Sequence, residues 1–181
     1  MRFRKITNRG GHKQIGKFPS IKTGQTIMWE SLLERDFIYW LEFFSDVTSY
    51  REQPLQINYL LEGKPHHYTP DFLAICKQGR IIYEVKYEED AAKEENQLKF
   101  ALVDRICRQN DYEFKVVTET AIRRQPQLDN IKFLFRYAGV QPEIQHQFLV
   151  RDYLANHMEV CLAELTTLFQ EKRIHGQFLY A

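Results

Sequence analysis

Apolar residues fall into two kinds of rhythm along this chain, and the rhythm changes several times. From about Met28 to Ser45, Leu33, Phe37, Trp40, Leu41 and Phe44 recur at three- and four-residue spacing, which predicts an amphipathic helix. Residues 47–61 (VTSYREQPLQINYLL) read as one or two strands interrupted at Pro54, and Lys64 to Thr69 as a return strand after a turn at Glu62-Gly63. Asp71 to Cys76 and Arg80 to Tyr87 form a predicted hairpin around Lys77-Gln78-Gly79. A helix from Glu88 to about Gln109 and a short strand, Glu113 to Thr118, give a crossover and therefore a mixed sheet. Beyond Pro126 the pattern is helical: one stretch ending at Gly139, then Pro142 to His157 and Met158 to Lys172, with Phe178 to Tyr180 as a final strand. The fold class is α/β, a mixed sheet flanked by helices, with residues 1–125 as one domain and 126–181 as a small helical module of winged-helix type.

Composition narrows the function classes. The chain has 181 residues, 44% of them hydrophobic, enough to bury a core. No apolar run approaches the ~18 residues of a membrane span, and the N-terminus lacks the apolar stretch of a secretion signal. Cys76, Cys107 and Cys161 are three and scattered, the pattern of buried free thiols in a reducing cytoplasm rather than of a disulfide frame or zinc site. The aromatics Trp29, Tyr39, Trp40, Phe43 and Phe44 read as core. The net charge of +1 conceals an asymmetry. Residues 1–28 carry Arg2, Arg4, Lys5, Arg9, Lys13, Lys17 and Lys22 and no acid, while the rest of the chain carries 18 basic and 24 acidic residues. A basic arm, rich in Gly and Pro and therefore expected to be irregular, on an acidic body is a frequent nucleic-acid signature.

The chemistry concentrates in TPDFLAICKQGRIIYEVK, residues 69–86. Side chains alternate along a strand, so Glu84 and Lys86 share a face. With the turn centred near Gln78-Gly79, Asp71 becomes a diagonal cross-strand neighbour of Glu84. Two carboxylates and an ammonium on one patch would hold a divalent ion beside a phosphate, the requirement of phosphodiester hydrolysis. Asp71, Glu84 and the Val85 carbonyl are the candidate Mg²⁺ ligands, with Mn²⁺ as a substitute. Lys86 would hold the attacking water or neutralise the phosphate. Glu34, on the edge of the buried face of the first helix, would complete the shell or support a second ion. Gln53 either orders a ligand or satisfies backbone groups near Pro54. His66 and His67 point to opposite sides of their strand and read as a polar face.

Helix, hairpin with acid and E-x-K, helix and strand, in that order, resemble the PD-(D/E)xK restriction-endonuclease-like superfamily. Four blocks, ESLLERD at 30–36, REQP at 51–54, TPDF at 69–72 and YEVK at 83–86, together resemble the TnsA family over about residues 20–122. The resemblance carries the helical acid of the family onto Glu34, the strand acid onto Asp71, the second acid onto Glu84 and the lysine onto Lys86. Glu84 stands where some members have Gln. The resemblance implies a Mg²⁺-dependent endonuclease that cuts the 5′, non-transferred strand at transposon ends. It also implies a TnsB-like DDE transposase and a TnsC-like AAA+ ATPase as partners, and a C-terminal region that engages them. A stand-alone restriction or repair nuclease and a catalytically idle DNA-binding bridge are the alternatives.

Overall fold

The computed structural model describes residues 14–61 and 63–176. Arg2, Arg4, Lys5, Arg9 and Lys13, Glu62 of the predicted turn, and the strand expected at 178–180 lie outside the described residues. The chain divides into two compact units, one up to Asp129 and one from Asn130.

In the first unit a four-stranded mixed sheet runs in the order β3 (Val47–Glu52), β6 (Phe72–Cys76), β7 (Gly79–Val85), β8 (Glu113–Val117). The first two pairings are antiparallel and β7 pairs with β8 in parallel. The parallel step follows from the connection, because β7 returns as β8 only after helices α2 (Glu88–Ala91) and α3 (Glu94–Gln109). The acidic segment thus forms two helices where one is expected. The chain is extended at Lys93, and Asn96 and Gln97 donate side-chain hydrogen bonds to the Asp90 and Ala91 carbonyls across the break.

Alternation along the strands gives each sheet face its own helix. Leu73 and Ile82 point to the side covered by Val103 and Cys107 of α3, together with Ile57 and Tyr68. Phe72 and Tyr83 point to the other side and meet Phe37 of α1 (Leu32–Phe43), with ring centres 5.9 and 5.0 Å apart. Leu98 is largely exposed, and the stripe of α3 that reaches the core is Phe100, Val103 and Cys107.

Helix α1 begins later than its apolar pattern predicts, because Met28 and Trp29 belong to a strand and Ser31 is the cap. It buries Leu33, Phe37, Ile38 and Leu41 but also Asp36, which accepts a 3.1 Å bond from Arg123 Nε beyond the short helix α4 (Glu119–Ile122). Trp40 is half-buried and donates its indole N–H to the Ile122 carbonyl. Phe43 and Phe44 are exposed rather than core, since α1 ends where they begin to face solvent.

Part of the arm expected to be irregular is a hairpin, β1 (Gly16–Pro19) with β2 (Thr26–Trp29). Burial of Phe18 and Ile27 outweighs the Gly and Pro content, and Pro19 sits at a strand end, where its missing N–H costs little. Lys22, in the loop of this hairpin, donates to the Leu41 and Phe44 carbonyls at 2.7 and 2.6 Å and so caps the end of α1. A second ribbon, β4 (Ile57–Leu61) with β5 (Lys64–Tyr68), is anchored by its buried ends Ile57 and Tyr68.

The second unit contains, among the described residues, most of α5 (Gln127–Phe135), then α6 (Ile144–Asn156) and α7 (Leu162–Glu171), and no strand. Ile131, Phe169 and Ile174 are buried, whereas α6 buries no residue. Of the three thiols only Cys107 is buried; Cys76 is half-buried and Cys161 exposed, and all are free.

Gly16 lies opposite Trp29, and a Cβ there would come within 2.2 Å of the indole ring. Gly16→Ala should therefore destabilise the protein by about 1–3 kcal/mol, as overpacking does. An unchanged thermal midpoint would show that the indole swings aside freely.

Candidate active site

The β6–β7 hairpin turns through Lys77 and Gln78, with Cys76 opposite Gly79 and Phe72 opposite Tyr83. One step further along this register sets Asp71 directly opposite Glu84, not diagonal to it as the turn centred on Gln78-Gly79 would require. The two-residue turn makes the difference. Both carboxylates project on the α3 side, the face of Leu73 and Ile82, at the end of the sheet where α1 begins. There they line a cleft of about 940 Å³ together with Glu30, Ser31, Glu34, Tyr68, Val85, Lys86, Asp90 and Lys99.

Each acid is held by different groups. Asp71 Oδ2 accepts the Val85 N–H at 2.8 Å, and the Asp71 carbonyl accepts the Gln53 N–H at 2.8 Å. Glu84 is buried; its Oε2 accepts the Tyr68 hydroxyl, and its Oε1 lies 3.7 Å from Lys86 Nζ. Glu34 accepts the Glu30 N–H at 2.7 Å on Oε2 and the Ser31 hydroxyl at 3.0 Å on Oε1, while Ser31 Oγ accepts the Glu34 N–H. Ser31 thus caps the helix start, and the S-x-x-E pattern stands in the sequence at 31–34, although Glu34 reaches back to the Glu30 N–H and the Ser31 hydroxyl rather than to the Ser31 N–H of a full reciprocal cap.

Gln53 joins these supports. Its backbone is left-handed, with φ of 41°, which turns the chain out of β3 so that its N–H meets Asp71. Its side-chain amide is buried and donates to Glu30 Oε1 at 2.8 Å. Gln53 thereby ties the start of α1 to the head of β6, and it does not line the cleft.

Electrostatics mark the cleft as a place where a cation is wanted. Burial, followed by the charges of Glu84 and Glu34, pushes the Asp71 carboxyl well above the usual range against the lowering effect of the Val85 N–H. Burial raises Glu34 as well, with Glu30 and Glu84 adding to it. Crowded carboxylates of this kind either share protons or gather around a positive ion. The donors are hard oxygens, which suit Mg²⁺. Among the described residues no three or more His, Cys, Asp or Glu side chains converge into a ligand group. Asp71 and Glu84 fit as a pair, the number of carboxylates that a Mg²⁺ ion with several waters uses. Glu34 lines the same cleft with both of its oxygens engaged in hydrogen bonds.

Residues 44–119 match the model of the family described as TnsA-like endonuclease N terminal. Over this segment, less than half of the chain, the protein is similar to that family. No curated protein matches the chain. The TnsA-like segment contains Gln53, Asp71, Glu84, Val85 and Lys86 and all four strands of the mixed sheet, while Glu34 and the rest of α1 precede it. No helix among the described residues is long and apolar enough to cross a membrane.

Tyr68, Lys99 and Glu30 belong to the site without standing out in the sequence. Tyr68 ends a strand of otherwise exposed residues, so its burial depends on β7 lying beside it. Lys99 precedes Phe100, and the stripe Asn96, Phe100, Val103, Cys107 at helical spacing is the signal that places it near the buried face. Of the basic residues assigned to DNA, Lys17 is exposed and Lys22 is spent on the end of α1. His66 and His67 are exposed, and His66 stacks on Tyr59.

The raised Asp71 value has a consequence for stability. The folded protein binds this proton more tightly than the unfolded chain does. The group's contribution therefore favours folding fully below its ordinary value of 3.8 and is lost as pH rises through the higher folded value. Asp71→Asn should raise the thermal midpoint at about pH 7–8 without divalent ions, and the gain should shrink as the medium is acidified toward pH 4. A variant less stable than the parent at neutral pH would contradict this.

Proposed function

We infer that this protein is a Mg²⁺-dependent DNA endonuclease that cuts the 5′, non-transferred strand at transposon ends. The observation that carries the reading is the facing of Asp71 and Glu84 beside Lys86 in an open cleft, within a segment of TnsA-like type. Mg²⁺ held by the two carboxylates and the Val85 carbonyl would supply Lewis acidity to the phosphodiester and lower the pKa of a water. The residues of the chain do the rest. Val85 N–H fixes one oxygen of Asp71, and Tyr68 fixes one of Glu84, so the remaining oxygens face the cleft. Lys86 is partly exposed and close to Glu84, a position from which its ammonium meets the charge that builds on phosphorus. Glu34 lines the same wall and adds negative charge to it.

Partners follow from the family type: a TnsB-like DDE transposase that processes the other strand, and a TnsC-like AAA+ ATPase. The second unit, in winged-helix form, would engage them; the exposed Ile144, Phe148, Leu154 and Met158 support a surface that another protein covers. The basic residues Arg2, Arg4, Lys5, Arg9, Lys13 and Lys17 would add contacts to DNA.

The test is a strand-specific nicking assay on transposon-end DNA with the transposase partner and Mg²⁺. Lys86→Ala should slow 5′ cleavage by ~10²–10³, or about 3–4 kcal/mol, and Asp71→Ala should abolish it. Undiminished cleavage by both variants would remove the site assignment. Bound DNA that is never cut, even by the parent with its partner, would favour an idle bridging subunit.

A further inference from the structure

The cleft contains a second lysine that the metal chemistry does not employ. Lys99 sits on α3, a different wall from Lys86, which directly follows β7, and its side chain is half-buried. Its ammonium lies 4.9 Å from the centre of the Phe100 ring and 5.6 Å from that of Tyr68. It donates a 2.7 Å hydrogen bond to Asn96 Oδ1, and Asn96 in turn donates to the Asp90 carbonyl at 2.6 Å. Among the described residues it forms no ion pair with any carboxylate.

This is an unusual place for a lysine. A flexible ammonium is normally free to snorkel into water, and partial burial without a carboxylate costs stability. Burial indeed pulls Lys99 below its ordinary pKa, with the more distant charges of Glu84 and Asp71 opposing the change. Two aromatic faces and a tethered amide nevertheless hold the ammonium at the edge of the cleft, with donors left over. A group positioned at a cost, beside reactive carboxylates, is matched to a ligand that brings its own negative charge. The carboxylates and Lys86 manage the reacting phosphate, while a nucleic-acid strand in the same cleft brings further phosphates that need a cation.

We propose that Lys99 binds a backbone phosphate of the nucleic-acid strand lying in the cleft, next to the phosphate that reacts. The proposal rests on the endonuclease reading. It separates the roles of the two lysines: Lys86 acts on the transition state, and Lys99 binds substrate and transition state alike. Loss of such uniform binding raises KM and leaves kcat nearly unchanged.

The experiment compares Lys99→Met, which keeps the stem packed on Tyr68 and Phe100, with Lys99→Arg and the parent. Binding of the full chain to duplex DNA is followed by fluorescence anisotropy at several salt concentrations in EDTA. Steady-state cleavage of transposon-end DNA with the transposase partner gives kcat and KM. Lys99→Met is expected to weaken binding about tenfold or more. It should reduce the salt slope by about one, raise KM at nearly constant kcat, and leave the thermal midpoint equal or higher. Lys99→Arg should restore most of the affinity. A lower midpoint with unchanged affinity and KM would make Lys99 a packing residue and overturn the proposal. A fall in kcat at unchanged KM would also overturn it. If the parent with its partner never cuts the bound DNA while Lys99→Met loses affinity, the endonuclease reading fails and the phosphate contact stands.

Discussion

Asp71 and Glu84 face one another at the end of the β6–β7 hairpin, and much of the molecule is arranged around keeping them there. Like charges at that distance repel, and burial makes the repulsion stronger. The fold opposes it with directed hydrogen bonds: Val85 N–H to Asp71, Tyr68 hydroxyl to Glu84, and Gln53 N–H to the Asp71 carbonyl. None of these neutralises the pair. Together with Glu34 they leave a pocket short of positive charge, which Lys86 at 3.7 Å relieves only in part. A site of this kind is less stable than its scaffold requires, and it gains that stability back when a cation enters.

The supports come from separate stretches of sequence that the sheet draws together. Glu30 and Gln53 are linked side chain to side chain, so the start of α1 and the end of β3 move as one with Asp71. Tyr68 belongs at once to the α3 core cluster and to the carboxylate site. Packing in the core is thus converted into orientation of Glu84. Misplacing α3 would release Tyr68 and with it one oxygen of the Glu84 carboxylate. Were Asp71 and Glu84 to hold an ion, these contacts would aim them in the way that partners outside a metal's shell aim its ligands.

Much of this was legible in the sequence because strand chemistry is local. The alternation of Glu84 and Lys86, the presence of a turn within Lys77-Gln78-Gly79 and the Pro70-Asp71 step are all short-range signals, and so is the apolar stripe of α1, whereas the exact turn residues, which set Asp71 opposite Glu84, are not. The errors arose where tertiary context decides. The Gly and Pro content of residues 16–29 obscured the hairpin that Phe18 and Ile27 bury. The burial of Asp36 on α1 has no local signal, because its partner, Arg123, is remote in sequence. Lys22 reads as part of a DNA-binding arm in the sequence, because the carbonyls at the end of α1 that it meets lie about twenty residues on. The S-x-x-E cap at Ser31–Glu34 was present as a pattern, and it explains why Glu34 serves the helix start as well as the cleft.

The central claim is that Asp71 and Glu84 act on one ion. A double-mutant cycle on Mn²⁺ affinity, with Asp71→Asn, Glu84→Gln and the double variant titrated against the parent, measures their coupling directly. The account predicts that either single change removes most of the binding and that the second adds little. Full additivity of the two effects, or Mn²⁺ binding retained in the double variant, would contradict it.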